Sequence, residues 1–238
     1  MQSRKITEFG MDFYHQHMMG PNSVMLIQNM LQGISLTPEL RVLDLGCGKG
    51  LTSIYLAQEF GVQVFATDLW VSAGENYRLF KEFGLENQII PLQLDATQLP
   101  FADEYFDAFT SVDAFQYFGN PKTYFDTQLA RVLKPGALIA IAIPGMKFEI
   151  EDPMPEEMKP FWPLEALQTW HCVDWWRETL SASENFHLEQ IAEMDCFDAA
   201  WNSWLGSDNP YAIQDRDMIR TDNGRFMNLI SIIGRKSA

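Results

Sequence analysis

The chain has 238 residues, 47% of them hydrophobic, enough to bury a full-sized core in one α/β domain of ordinary length. Its formal net charge of -15 repels the phosphate backbone that supplies most nucleic-acid affinity, and no Lys/Arg cluster stands out to override it, so DNA and RNA are not expected as partners. Cys47, Cys172 and Cys196 lie far apart with no C-x-x-C pair, which argues against a disulfide framework and against a zinc site; no metal is expected. Glu8 and Asp12 interrupt what would be an apolar signal core, and no apolar stretch approaches the roughly 20 residues of a membrane span, so the expectation is a cytoplasmic protein without a membrane partner.

Along the chain, Pro21-Asn22-Ser23 offers a helix start, and Val24, Ile27, Met30, Leu31 and Ile34 recur on one face before Gly33 and Thr37-Pro38 close the helix. Residues 41–46 read as a buried strand, Leu51–Phe60 as a helix stopped by Gly61, and 62–68 as a second strand, which together make one βαβ unit. A helix over 72–83 ends at Gly84. Third and fourth strands cover 89–94 and 107–112, residues 125–133 read as helix, Lys134-Pro135-Gly136 as a turn, and 137–143 as a fifth strand. This alternation demands a parallel sheet with helices on both faces, because each parallel crossover needs a helix-length connection. Ligands gather at the carboxyl ends of such strands, where residues 46–50, Asp68, Asp95 and Ser111-Val112-Asp113 all fall.

After Pro144 the pattern breaks. Residues 145–163 are rich in Met, Pro, Glu and aromatic side chains and are too long for a simple connection, so a lid over the site is expected. Helical segments near 164–170 and 173–181, a strand near 187–193, a helix near 197–205 and a last strand over 227–234 complete the reading.

The densest signal is Asp44-Leu45-Gly46-Cys47-Gly48-Lys49-Gly50, a glycine loop between strand and helix that brings peptide N–H groups and a helix N-terminus toward a ligand. A dinucleotide fingerprint needs a third glycine where Leu51 stands, which disfavours NAD, and a P-loop needs Ser or Thr after Lys49, where Gly50 stands. The run resembles motif I of the class I S-adenosylmethionine (SAM)-dependent methyltransferases, Asp-x-Gly-x-Gly-x-Gly being matched at Asp44, Gly46, Gly48 and Gly50. The resemblance spans residues 41–145, with the stretch 100–107 before the fourth strand and the Leu133-Lys134-Pro135-Gly136 turn in the expected order.

That family implies a Rossmann-like three-layer α/β sandwich: a mostly parallel seven-stranded sheet, an antiparallel last strand and a C-terminal lid or cap insertion. A single domain over 1–238 would divide into an N-terminal helical cover (1–36), a cofactor-binding core (37–145), a lid and substrate insertion (145–186) and C-terminal strands with a helix (187–238). The implied cofactor is SAM. Asp44 would orient the glycine loop or meet the methionyl ammonium, and Gly46, Cys47 and Gly48 would admit the methionyl chain. Asp68 beside Leu69 would take the ribose, Asp95 and Ala96 would frame adenine, and Ser111 would lie nearby.

The expected activity is methyl transfer to an O, N or C atom of a small-molecule substrate, by holding the acceptor in line about 3 Å from the methyl group with water excluded. A base is needed only if the acceptor loses a proton; His15, His171 and Asp113 are the candidates, with His17 and Glu149 beside them, each weighed against an ordinary surface or loop role. Walls for the substrate are sought in one or two of Trp162, Trp170, Trp175, Trp176, Trp201 and Trp204, and in the cluster 13–19 ahead of the loop. Asp208-Asn209-Pro210-Tyr211 is set aside as a misplaced lookalike of a base-gripping element of amino-methylating enzymes. The alternatives are a non-catalytic SAM or nucleoside-binding regulator and an NAD-dependent oxidoreductase, and a homo-oligomer is left open.

Overall fold

The computed structural model describes residues 4–120, 122–150, 154–163 and 167–238. Strands β1 (Arg41–Leu45), β2 (Gln63–Asp68), β3 (Ile89–Gln93), β4 (Phe106–Val112), β5 (Leu133–Met146), β6 (Phe186–Glu193) and β7 (Met227–Lys236) form one sheet in the order β3-β2-β1-β4-β5-β7-β6. All neighbouring pairs are parallel except those of β7, which runs antiparallel to both β5 and β6. The chain reverses direction across the sheet at β1, whose neighbours β2 and β4 open a crevice at their carboxyl ends.

Successive strand residues face opposite layers. Val42, Val64, Ala66, Ala108 and Ala140 pack with α1 (Met11–His17), α2 (Ser23–Met30), α3 (Leu51–Phe60) and α4 (Ala73–Glu82), while Leu43, Leu45, Phe65, Phe109 and Ile139 pack with the segment around α5 (Ala130–Val132) and α6 (Val173–Ser181). Asn22 and Ser72 cap α2 and α4 through side chains that accept from the N–H groups of Met25 and Glu75. Gly61 closes α3 in the left-handed conformation expected of a terminal glycine.

Three expectations are corrected. Lys134-Pro135-Gly136 is not a free turn but the start of β5, where the register slips between Phe106 and Ala108 and Gly136 takes φ 78°. A helix absent from the sequence reading, α8 (Pro210–Asp222), follows α7 (Phe197–Leu205); Asn209 caps it and Pro210 opens it, so the Asn-Pro lookalike is a helix start. The lid is the third. Of residues 145–186, 151–153 and 164–166 lie outside the described residues, which takes in the start of the expected 164–170 helix. Within the rest, Met158 and Trp162 are fully buried in the same core as Trp201 and Trp204, and Trp162 packs edge-on against Phe226 with ring centroids 5.7 Å apart. No described residue of 145–186 lines the cavity described below.

Because Trp162 works as core, Trp162→Ala is expected to cost about 3–5 kcal/mol of stability, read as a lower urea midpoint at unchanged slope. A loss under 1 kcal/mol would restore the lid.

Candidate functional site

Asp44, mid-strand in β1, has no access to solvent. Its Oδ2 accepts from Thr52 Oγ1 (2.7 Å) and Ser53 Oγ (2.6 Å) at the start of α3, and its Oδ1 from Thr110 Oγ1 (3.1 Å) on β4. Burial raises its pKa against these three hydroxyls, which pull it down, and the charge of Asp68 adds to the rise. The carboxylate therefore anchors the helix that follows the glycine loop and is absent from the cavity wall; of its two expected roles this geometry fits orienting the loop, and the contact to a methionyl ammonium is corrected. Ser111 is corrected likewise, since it is buried and its Oγ donates to Leu45 O at 2.8 Å.

The glycine loop is self-satisfied. Gly46 and Cys47 donate their N–H groups to Thr67 O (2.8 and 3.0 Å), Gly48 donates to Asp68 Oδ2 (2.8 Å) and Gly50 to Cys47 O (2.9 Å). Four of the loop's five N–H groups are thus engaged within the chain, and the loop offers a ligand room. Gly46 (φ 78°) and Gly48 (φ 54°) line the cavity, and a Cβ on Gly46 would lie 2.2 Å from Ala114 Cβ. Gly50 serves packing: a Cβ there would meet the Phe80 ring at 2.4 Å. Cys47, buried against the same wall, is an inert thiol whose pKa is pushed well up by burial and by the charges of Asp44 and Asp68.

The loop edges a cavity of about 310 Å³ at the carboxyl ends of β1, β2, β3 and β4, within the range of small-molecule sites. Asp68, Leu69, Asp95 and Ala96 line it along one side. Asp68 braces its own turn, Oδ1 accepting from the N–H groups of Trp70 (2.8 Å) and Val71 (2.9 Å), while Oδ2 takes only Gly48 and retains accepting capacity. Asp95 accepts from Thr97 N (2.8 Å) and Oγ1 (2.7 Å) through Oδ1, and these bonds hold its pKa below the usual carboxylate value. Tyr124 OH fixes Ala96 by donating to its carbonyl at 3.0 Å.

At the other end stand His17, Met19, Gly20, Asp113 and Tyr117. Of the expected bases, Asp113 and His17 are here. Asp113 occupies the left-handed region at φ 54°, and burial lifts its pKa to about 7, Gln116 opposing and Asp215 adding to the rise. His15 points instead at α7, its Nε2 donating to Ser203 O at 2.9 Å. His171 stacks on Trp175 at 3.6 Å, with Nδ1 on Glu149 Oε2 (3.0 Å) and Nε2 on Gln168 O (3.2 Å). Neither lines the cavity, nor does Glu149. His17 does; its Nδ1–H donates to Phe13 O at 2.8 Å, which leaves Nε2 as an acceptor. None of the six C-terminal tryptophans lines the cavity, whereas Trp70, passed over in the sequence, does and is 71% exposed. Its position two residues after Asp68 was the available signal. Among the described residues there is no group of His, Cys, Asp or Glu able to hold a metal ion, and no helix is long and apolar enough to cross a membrane.

Residues 43–141, which carry this loop and both acidic strand ends, match the family described as "Methyltransferase domain". Over these residues the chain is similar to methyltransferase domains. It is 32% identical over 161 residues to a probable chloroplastic tocopherol O-methyltransferase of Oryza sativa subsp. japonica, covering 65% of this chain and 43% of that protein. The methyltransferase fold is shared with a putative sarcosine dimethylglycine methyltransferase from Galdieria sulphuraria (TM-score 0.72, 20% identity, 90% of this chain and 85% of that one). It is shared also with geranyl diphosphate C-methyltransferase from Streptomyces coelicolor A3(2), crystallised with Mg2+, geranyl diphosphate and S-adenosyl-L-homocysteine (TM-score 0.69, 14% identity, 90% and 79%). The chain spans about half the length, or less, of the curated relatives it matches.

The raised pKa of Asp113 has a sign. Between about pH 4 and pH 7 the unfolded chain has lost a proton that the folded chain retains, so this group erodes stability as pH rises through that window and adds no further slope above it. Asp113→Asn is expected to gain stability relative to wild type from pH 5 to pH 8 in urea titrations; a constant difference would place the pKa near its ordinary value.

Proposed function

We propose that the chain transfers a methyl group from SAM to a small-molecule acceptor by in-line displacement. One observation carries the reading: a single cavity holds the glycine loop, Asp68 and Asp95 along one side and a separate polar end at Asp113 on the other. The residues fit the cofactor, because Gly46 and Gly48 leave space where a side chain would intrude, Asp68 Oδ2 retains capacity for a ribose hydroxyl, and Asp95 with Ala96 borders the place for adenine. SAM supplies a methyl group activated on a positive sulfur. Asp68 binds the nucleoside, Met19 and Trp70 line the cavity as exposed apolar side chains, and Asp113 is available to hold a proton at its carboxylate. The three acids along the cavity favour the cationic sulfonium over neutral analogues.

A nicotinamide oxidoreductase and a non-catalytic binder gain no support from the comparisons. The acidic balance further argues against nucleic acid as the acceptor. Calorimetric titration tests the reading: SAM and S-adenosylhomocysteine are expected to bind and NADH not. Asp68→Ala is expected to weaken both by about 1.5–3 kcal/mol, the loss of charge-assisted hydrogen bonds. NADH binding alone, or unchanged affinity in the variant, would contradict it.

A further inference from the structure

We propose that the Asp113 end of the cavity is the acceptor subsite and that it takes an amine carried on an apolar or aromatic body. The inference rests on the SAM reading for the remainder of the cavity.

The first argument is fit. A Cβ on Gly20 would lie 2.2 Å from Asp113 Oδ2, so only glycine at this point of the N-terminal segment lets the carboxylate stand where it does. Asp113 is held in the left-handed region by its own N–H, which donates to Ala142 O at 2.8 Å, a conformation that costs a non-glycine residue about 1–2 kcal/mol. Strain of this kind persists where surrounding structure over-determines it, as at ligand sites.

The second is unmet hydrogen bonding. Gln116, fully buried, donates from Nε2 to Asp113 Oδ1 at 3.2 Å, and its Oε1 has no partner. Gln116 stands behind Asp113 and does not line the cavity; the Asp113 carboxylate does line it, has no basic partner among the described residues, and calls for a ligand that brings donors.

The third is charge. Asp68, Asp95 and Asp113 line the cavity, and Asp215 on α8 adds its negative charge close to Asp113 and Tyr117, its own carboxylate taking Trp204 Nε1 at 2.7 Å. Burial first, then these two carboxylates, push the Tyr117 hydroxyl up to about 12, so it remains a neutral donor. Among the described lining residues Lys49 and His17 are the basic side chains, and the Lys49 ammonium is turned to Gln16 O at 2.8 Å. A phosphate or carboxylate would be repelled here. An amine supplies both the missing donors and the counter-charge. Its apolar body has a place on Trp70 and Tyr117, whose rings meet edge to face at 6.2 Å and are both open to solvent at the mouth, and whose faces attract cations. With burial lifting Asp113 to about 7, its carboxylate accepts a proton from a bound ammonium: one N–H bond breaks, one O–H bond forms, and the electron pair stays on nitrogen.

The test is calorimetry at pH 8 with phenethylamine, 2-phenylethanol and phenylacetate, each with and without S-adenosylhomocysteine, on wild type and Asp113→Asn. Asn tolerates the left-handed backbone, so the variant retains the turn. Phenethylamine is expected to bind wild type at least tenfold more tightly than the alcohol, with no heat from phenylacetate, and Asp113→Asn is expected to erase that preference while binding S-adenosylhomocysteine as before. Equal binding of the alcohol or the acid, or a preference that survives in the variant, overturns the subsite. The wild-type selectivity is decisive by itself should the variant fail to fold. Binding of S-adenosylhomocysteine without amine selectivity removes this proposal alone, whereas amine selectivity without nucleoside binding removes the SAM reading and leaves the subsite.

Discussion

Three hydroxyl groups converge on the Asp44 carboxylate in a place no water reaches: Thr52 and Ser53 from the first turn of α3, and Thr110 from β4. A buried carboxylate is costly unless its lone pairs are filled, so α3 is held to the sheet at one register, and the five residues between β1 and α3 are confined to a fixed span. Asp68 completes the constraint from β2 by taking the Gly48 N–H, while Asn76 of α4 donates to Gly48 O at 2.9 Å. The glycine loop is thereby a rigid wall in which the N–H groups of Gly46, Cys47, Gly48 and Gly50 are engaged within the chain. What it presents to a ligand is shape.

Against that wall the rest of the cavity is assembled from distant parts of the chain. Lys49 reaches from the loop to Gln16 O, His15 reaches Ser203 O, and Asn22 N–H donates to Ala200 O at 3.1 Å, so the segment carrying His17, Met19 and Gly20 is tied to both the glycine loop and α7. Met19 sits on the loop, its sulfur 3.2 Å from where a Gly48 Cβ would stand. The two ends of the cavity differ in kind: one is braced by backbone donors to Asp68, while the other, around Asp113, retains strain, unmet hydrogen-bonding capacity and uncompensated charge. Framework and chemistry are separated, as preorganised sites require.

Much of this was legible in the sequence because local signals and tertiary demands agreed. Leu51–Phe60 and Phe197–Leu205 match the helices read from periodicity, the parallel strands follow the alternation of elements, and the seven-stranded sheet with its antiparallel last strand is what the family resemblance implied. The misreadings have physical causes. A strand buried on both faces does not reveal which way Asp44 or Ser111 points, since both its faces are apolar. Tryptophan suits a core as well as a ligand wall, so the aromatic content of 145–186 could not separate Trp162, buried, from Trp70, open at the cavity mouth. Asn209-Pro210 was a helix start in plain view, obscured by its likeness to a motif of another kind. The proximity of Gly20 to Asp113, 93 positions apart, had no local trace at all.

The central claim is that the crevice at the carboxyl ends of β1, β2, β3 and β4 is a nucleoside site with a rigid floor. Amide hydrogen exchange with and without S-adenosylhomocysteine tests it most directly. Protection is expected to rise in residues 45–51, 68–71, 94–97 and 112–118, with β6 and β7 unchanged. Protection confined to the sheet edge at β6, or none anywhere at saturating ligand, would contradict it.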